Sequence, residues 1–135
     1  MATQDDELLS VLQDLLRQHK FEVGRAITAH TEWKARLVKC VSDGHCDATA
    51  VEALRDDHCE LGRWLYHLPV ETRAERAWSF VRDMHANFHR EASEIVRLVH
   101  AGDLAGARLA LASGAPFDLA SRKLLEMLED WRAAA

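Results

Sequence analysis

Trp78, Val81, His85, Phe88, Ala92, Ile95 and Val99 recur at alternating steps of three and four residues. A helix turns once per about 3.6 residues, so this rhythm draws one stripe down a long helix and turns that stripe toward a core. The helix is expected to start after Leu68-Pro69-Val70-Glu71, where a proline and an early acid suit a helix N-terminus, and to end near Gly102-Asp103. Ala26, His30, Trp33, Leu37 and Cys40 keep the same spacing, predicting a second helix that runs to about Val41, with Leu8, Leu12 and Leu15 extending it toward the N-terminus.

Ser42-Asp43-Gly44 breaks that helix, and a shorter one is expected to begin near Asp47 or Thr49, either of which can cap it. A third segment holds Cys59, Leu61, Gly62, Trp64 and Leu65. Near the C-terminus, Leu104, Ala107 and Leu111 precede an interruption at Ser113-Gly114-Ala115-Pro116. Phe117, Ser121, Leu124, Leu128 and Trp131 then resume helical spacing, as in a helix with a kink or short break. No window alternates polar and apolar residues as a strand would. The fold class expected is all-α, a four- to five-helix antiparallel bundle. At 135 residues the chain is long enough for one domain with a real core, so residues 1–135 are taken as a single domain. The helix over 1–25 extends the bundle or forms a dimer interface.

Composition narrows the partners. The chain is 48% hydrophobic and 29% charged, with a net charge of -5 and arginines dispersed among acids, which leaves no basic footprint for nucleic acid. Met1 to Glu7 lack the charged and apolar regions of a secretory signal, and no apolar run reaches membrane length. A cytoplasmic protein that binds neither membrane nor nucleic acid is expected. Cys40, Cys46 and Cys59 are an odd number of cysteines, and in a reducing compartment they read as thiols or metal ligands rather than a disulfide framework.

Polar residues on apolar stripes carry the chemistry. His30 lies between Ala26 and Trp33, and His85 between Val81 and Phe88, so both imidazoles are expected in the core, where each needs a partner. His85 and His89 are four apart on one helix face, a spacing that lets two imidazoles share one ion but is weakly specific alone. Cys59 adds a thiolate within Cys59-Glu60-Leu61-Gly62-Arg63-Trp64-Leu65, where the glycine would let a neighbouring helix approach and Trp64 could exclude solvent. A thiolate with three imidazoles suits Zn2+ far better than magnesium, calcium or a di-iron centre.

Together, His30-Thr31-Glu32-Trp33, the Cys59–Leu65 segment and His85-Ala86-Asn87-Phe88-His89 resemble the bacterial chemoreceptor zinc-binding (CZB) domain over roughly Ala26 to Trp131. The resemblance implies a buried zinc site held by His30, Cys59, His85 and His89. It also implies a non-enzymatic sensor, commonly a homodimer, attached to chemoreceptors or diguanylate cyclases and responsive to zinc or to oxidation of the zinc-bound cysteine, for example by hypochlorous acid. No cyclase domain, receptor coiled coil or membrane span accompanies these motifs, so output is expected in trans or within a longer parent chain.

Other readings weigh less. A small zinc hydrolase would keep an open coordination position, and a di-iron centre would need carboxylates that are missing from the core positions. Trp33, Trp64, Phe88 and Trp131 fall on apolar stripes and are assigned to the core. His19, His45, His58, His67 and His100 are surface or structural. A second metal or redox site at Cys40 and Cys46 is disfavoured, because their spacing fits no standard zinc pair. Leu8, Leu9, Leu12, Leu15 and Leu16 are core or, if they protrude, a dimer contact.

Overall fold

The computed structural model describes residues 3–134, which contain seven helices and no strand. The first, α1, runs Gln4–Asp43. A reciprocal capping box starts it: the Asp6 backbone N–H donates to Thr3 Oγ1 and the Thr3 N–H donates to the Asp6 carboxylate, both at 3.1 Å. Gly44 ends it at φ 72°, where the Gly44 N–H donates to the Val41 carbonyl and the His45 N–H to the Cys40 carbonyl. This pair of bonds is a Schellman turn, which needs a left-handed residue at its corner.

Helix α1 packs from about His19 onward. Val23, Ala26, Ala29, His30, Leu37 and Val41 are buried, whereas Leu8, Leu12 and Leu15 are 48–61% exposed. The N-terminal leucines are therefore not core of this chain. At about 1.5 Å rise per residue the 40-residue helix is on the order of 60 Å long, and its residues 4–18 are exposed throughout.

After Gly44 come α2 (Ala50–Leu54), capped by the Thr49 hydroxyl, and α3 (Glu60–Tyr66), capped by Cys59. The Pro69 start signal nucleates only a single turn, α4 (Val70–Arg73), because Glu75 turns to extended backbone (φ -71°, ψ 143°). The long helix α5 then spans Arg76–His100 with Glu75 at its N-cap. Its end repeats the Schellman turn at Gly102, φ 80°. The interruption at Ser113–Pro116 is a full break, separating α6 (Leu104–Ala110) from α7 (Pro116–Ala133). Seven helices thus replace the four or five expected, since each short turn-rich stretch forms its own.

Helix α5 is the hub, packing against α7, α2, α6 and the second half of α1. Every stripe residue from Trp78 to Val99 is buried, and Val81, Phe88, Ala92 and Ile95 meet Phe117, Leu124 and Leu128 of α7 in one continuous core. Fully burying side chains of this kind contributes roughly 1.5–3 kcal/mol each. No described helix is long and apolar enough to cross a membrane.

Cysteine usage departs from expectation. Cys40 and Cys46 are joined in a disulfide with Cα atoms 4.9 Å apart, and Cys59 alone is free. Two of the three cysteines are thus paired rather than thiols. The Schellman turn explains it: by reversing the chain at Gly44 it returns Cys46 to the last turn of α1, a geometry that counting residues does not expose.

Candidate metal centre

Helix α5 supplies two imidazoles from one face. His85 Nε2 and His89 Nε2 are 3.0 Å apart, and their rings meet edge to face with centroids at 4.6 Å. Opposite them stands Cys59, whose extended backbone (φ -78°, ψ 162°) places its side chain at the mouth of α3, where Sγ accepts from the Gly62 N–H at 3.3 Å. Its Sγ lies 3.2 Å from His85 Nε2 and 3.5 Å from His89 Nε2.

The loop before Cys59 presses directly on α3. A Cβ on Gly62 would sit 1.7 Å from the Asp56 carbonyl oxygen, so only glycine fits. The close neighbour is this loop backbone, not the neighbouring helix expected at that glycine. Tyr66 Oη donates to the Asp56 carboxylate at 2.6 Å and pins the loop from its other side.

Helix α2 orients the second histidine. His89 Nδ1–H donates to the Ala53 carbonyl at 2.9 Å, which fixes the tautomer and turns the lone pair of Nε2 toward Cys59 and His85. Trp33 closes the site with its ring centroid 4.8 Å from that of His89. Burial drives all three core imidazoles toward the neutral form. The pKa of His85 falls to about 3 and that of His30 to about 4, with desolvation the leading cause in each, and His89 is lowered for the same reason. Burial raises the Cys59 thiol, opposed by the backbone N–H groups of Gly62 and Leu61.

The donor set fits zinc. Zn–N bonds near 2.0–2.1 Å and Zn–S near 2.3 Å give tetrahedral edges of roughly 3.3 Å between nitrogens and 3.6 Å between nitrogen and sulfur. The observed triangle of 3.0, 3.2 and 3.5 Å falls just inside those edges. Ligand atoms of Cys59, His85 and His89 all lie within 4.8 Å of one another. The buried His85 Nδ1 has no hydrogen-bond partner, so this ring lacks the outer anchor that His89 has.

His30 stands beside the triangle rather than in it. It lines the same cavity of about 40 Å3 as Cys59, His85 and His89, with its ring 4.4 Å from that of Phe88. Its Nε2 is 2.9 Å from Ser121 Oγ on α7, and its buried Nδ1 has no partner. In the tautomer whose Nε2–H donates to the Ser121 hydroxyl, the free lone pair is at Nδ1. Ser121 is wholly buried and was visible in the sequence only as the one hydroxyl on an apolar stripe. The Ala53 carbonyl, a backbone atom, leaves no sequence trace.

The remaining histidines have structural bonds or stay at the surface. His19 Nε2–H donates to the Trp131 carbonyl, His67 Nδ1–H to that of Arg63 and His100 Nε2–H to that of Ala48; His45 pairs with Asp47, and His58 is exposed. Phe88 and Trp131 are buried, and Trp33 and Trp64 half-buried against the core.

Residues 30–96 match the family model of the chemoreceptor zinc-binding domain. That segment contains all four candidate ligands and is narrower than the Ala26 to Trp131 span of the sequence resemblance, leaving Ser121 and α7 outside it. No curated protein matches the chain, and no solved structure does.

Proposed function

This chain belongs to the chemoreceptor zinc-binding family through residues 30–96, and on that premise we propose that it is a single-domain, non-enzymatic zinc sensor. His30, Cys59, His85 and His89 hold the metal. The observation that carries this reading is the buried triangle of Cys59, His85 and His89, whose edges suit a zinc ion. Bound zinc keeps the Cys59 sulfur a thiolate and so an oxidisable ligand. The signal is zinc availability or oxidation of Cys59, and the output goes to a chemoreceptor or diguanylate cyclase in the cytoplasm. The exposed leucines of α1 supply a homodimer contact.

Metal analysis of the purified chain tests this directly. One zinc per chain, lost or strongly weakened in Cys59→Ala, is the expected result; a metal-free protein, or an unchanged affinity in that variant, overturns it. A second reading rests on one observation, that three donors converge while His30 stands apart, bound to Ser121. A zinc held by three residues would keep a position open for water and substrate. X-ray absorption at the zinc edge decides between them: one sulfur with three nitrogens from imidazoles supports the closed sensor, and one imidazole fewer with an added oxygen supports the open site.

A further inference from the structure

We propose that Cys40 and Cys46 form a second, reversible oxidation site, distinct from Cys59, which exchanges with low-molecular-weight disulfides of the glutathione class. Three observations on the molecule carry it. The two cysteines are brought to a Cα separation of 4.9 Å by the Schellman turn at Gly44, so the pair is preformed by backbone geometry. They differ in access, since Cys46 is 3% exposed and Cys40 is half-buried at the end of α1. And both line an open cavity of about 470 Å3, a size that suits a small peptide ligand.

The lining carries both signs, Arg36 and Lys39 with Asp43 and Asp47, and Asp47 is met by His45. Lys39 is paired with Asp43 at 2.6 Å, but Arg36, which faces the same cavity, takes part in no ion pair among the described residues. Its guanidinium can receive a carboxylate of the small disulfide.

Exchange proceeds in two balanced steps. The more accessible Cys40 sulfur, as thiolate, attacks one sulfur of the small disulfide. A Cys40–S–S–R bond forms, the RS–SR bond breaks, and the departing thiolate takes up the proton Cys40 released. Cys46 sulfur then attacks Cys40 sulfur, closing the Cys40–Cys46 bond and expelling the second small thiol with the proton of Cys46. The protein dithiol loses two electrons and the small disulfide gains them as two thiols. In a reducing compartment, where disulfides are typically transient and redox-sensing, such a pair is used this way rather than as a staple.

The site also reaches the metal centre, a consequence that rests on the zinc reading above. The loop after Cys46, whose Ala48 carbonyl accepts from His100 on α5, leads into α2, whose Ala50 carbonyl accepts from Ser93 and whose Ala53 carbonyl holds His89 Nδ1–H. Trp33 and Arg36 line both the disulfide cavity and the metal cavity.

The test uses the full chain in buffers of reduced and oxidised glutathione, followed by acid quench, alkylation and peptide mapping by mass. The expected result is a Cys40–Cys46 linked peptide with Cys59 outside it, and in Cys46→Ser an arrested glutathione adduct on Cys40. If Cys40 and Cys46 stay alkylatable across all buffers, or pair with Cys59 instead, the proposal fails. Transfer of zinc to a chromophoric chelator is then timed in both redox states, with Cys40→Ser/Cys46→Ser as control. A several-fold difference that vanishes in the control supports the link to the metal, and equal rates refute it. A chain that holds no zinc overturns the sensor reading and the link together, while the mapping still decides the oxidation site.

Discussion

Replacing Ser121 by alanine isolates the part that His30 plays. Ser121 is wholly buried, His30 is 3% exposed, and Oγ lies 2.9 Å from Nε2. Alanine leaves the buried His30 Nε2 unpaired, which costs roughly 1–3 kcal/mol, and removes the anchor that holds the ring's orientation. Loss of an outer partner of a metal-bound histidine typically lowers affinity 10–100-fold, or about 1.4–2.8 kcal/mol at 1.4 kcal/mol per decade. Zinc affinity is measured by chelator competition in the parent, Ser121→Ala, His30→Ala and the double variant. The expected pattern is a loss of that size for Ser121→Ala which disappears when His30 is already absent, because the serine acts through the imidazole. Equal losses in both backgrounds would show that Ser121 merely supports packing. An unchanged affinity in His30→Ala would remove His30 from the ligand set.

Gly62→Ala forces a Cβ to within 1.7 Å of the Asp56 carbonyl, so a destabilisation of about 2–3 kcal/mol and loss of bound zinc are expected from thermal melts and metal analysis; a variant with parental melting and zinc content would contradict the described loop path. In the metal-free chain, His30 has its pKa lowered by burial from 6.5 to about 4. As pH falls through 6.5 the unfolded chain therefore binds a proton that the folded chain refuses, and His30 alone costs about 2 kcal/mol of stability between pH 7 and 5, with little change above pH 7.5. Denaturant melts at pH 5 and 7 check the sign, and equal midpoints would mean that His30 titrates freely. The proposed homodimer contact on α1 predicts that the parent chain is a dimer in light scattering and that Leu12→Asp with Leu15→Asp makes it a monomer without altering the melting of the body, since both side chains are exposed; a monomeric parent, or a dimer that survives both changes, would refute that contact.

The parts of this molecule that repeat were legible in its sequence, and the parts made by chain reversal were not. The alternating stripe from Trp78 to Val99 identified α5, placed His85 in the core and put His89 on the same side, because helical periodicity alone decides which side chains share a face. Cys59 was identifiable from its surroundings, but its contact with both histidines depends on Asp56 crossing Gly62, a meeting of backbone with backbone. The Cys40–Cys46 bond depends on a left-handed corner at Gly44. A glycine marks such a corner in the sequence without stating where the chain goes next. Likewise Pro69 signalled a helix start correctly in kind, yet the helix it starts is one turn long.

The position of the metal centre suggests how occupancy is read elsewhere in the chain. Helices α2 and α3 have five and seven residues, too short to persist without tertiary support. Both lean on the site: α2 through the Ala53 carbonyl and α3 through its cap, Cys59. Metal binding energy spent there is folding energy for these two segments. Helix α3 in turn packs on α1, and at the outer end of that contact Glu60 pairs with Arg25 at 3.0 Å and Trp64 Nε1–H donates to Glu22 at 3.3 Å. Such exposed contacts contribute little energy, so their importance is positional. They sit where α1 leaves the body and its exposed leucines begin. A shift of α3 on losing the Cys59 ligand is therefore delivered to the base of the exposed N-terminal part of α1, and hydrogen exchange over residues 19–26 with and without zinc is expected to register it, whereas unchanged exchange there would confine the metal's influence to the core.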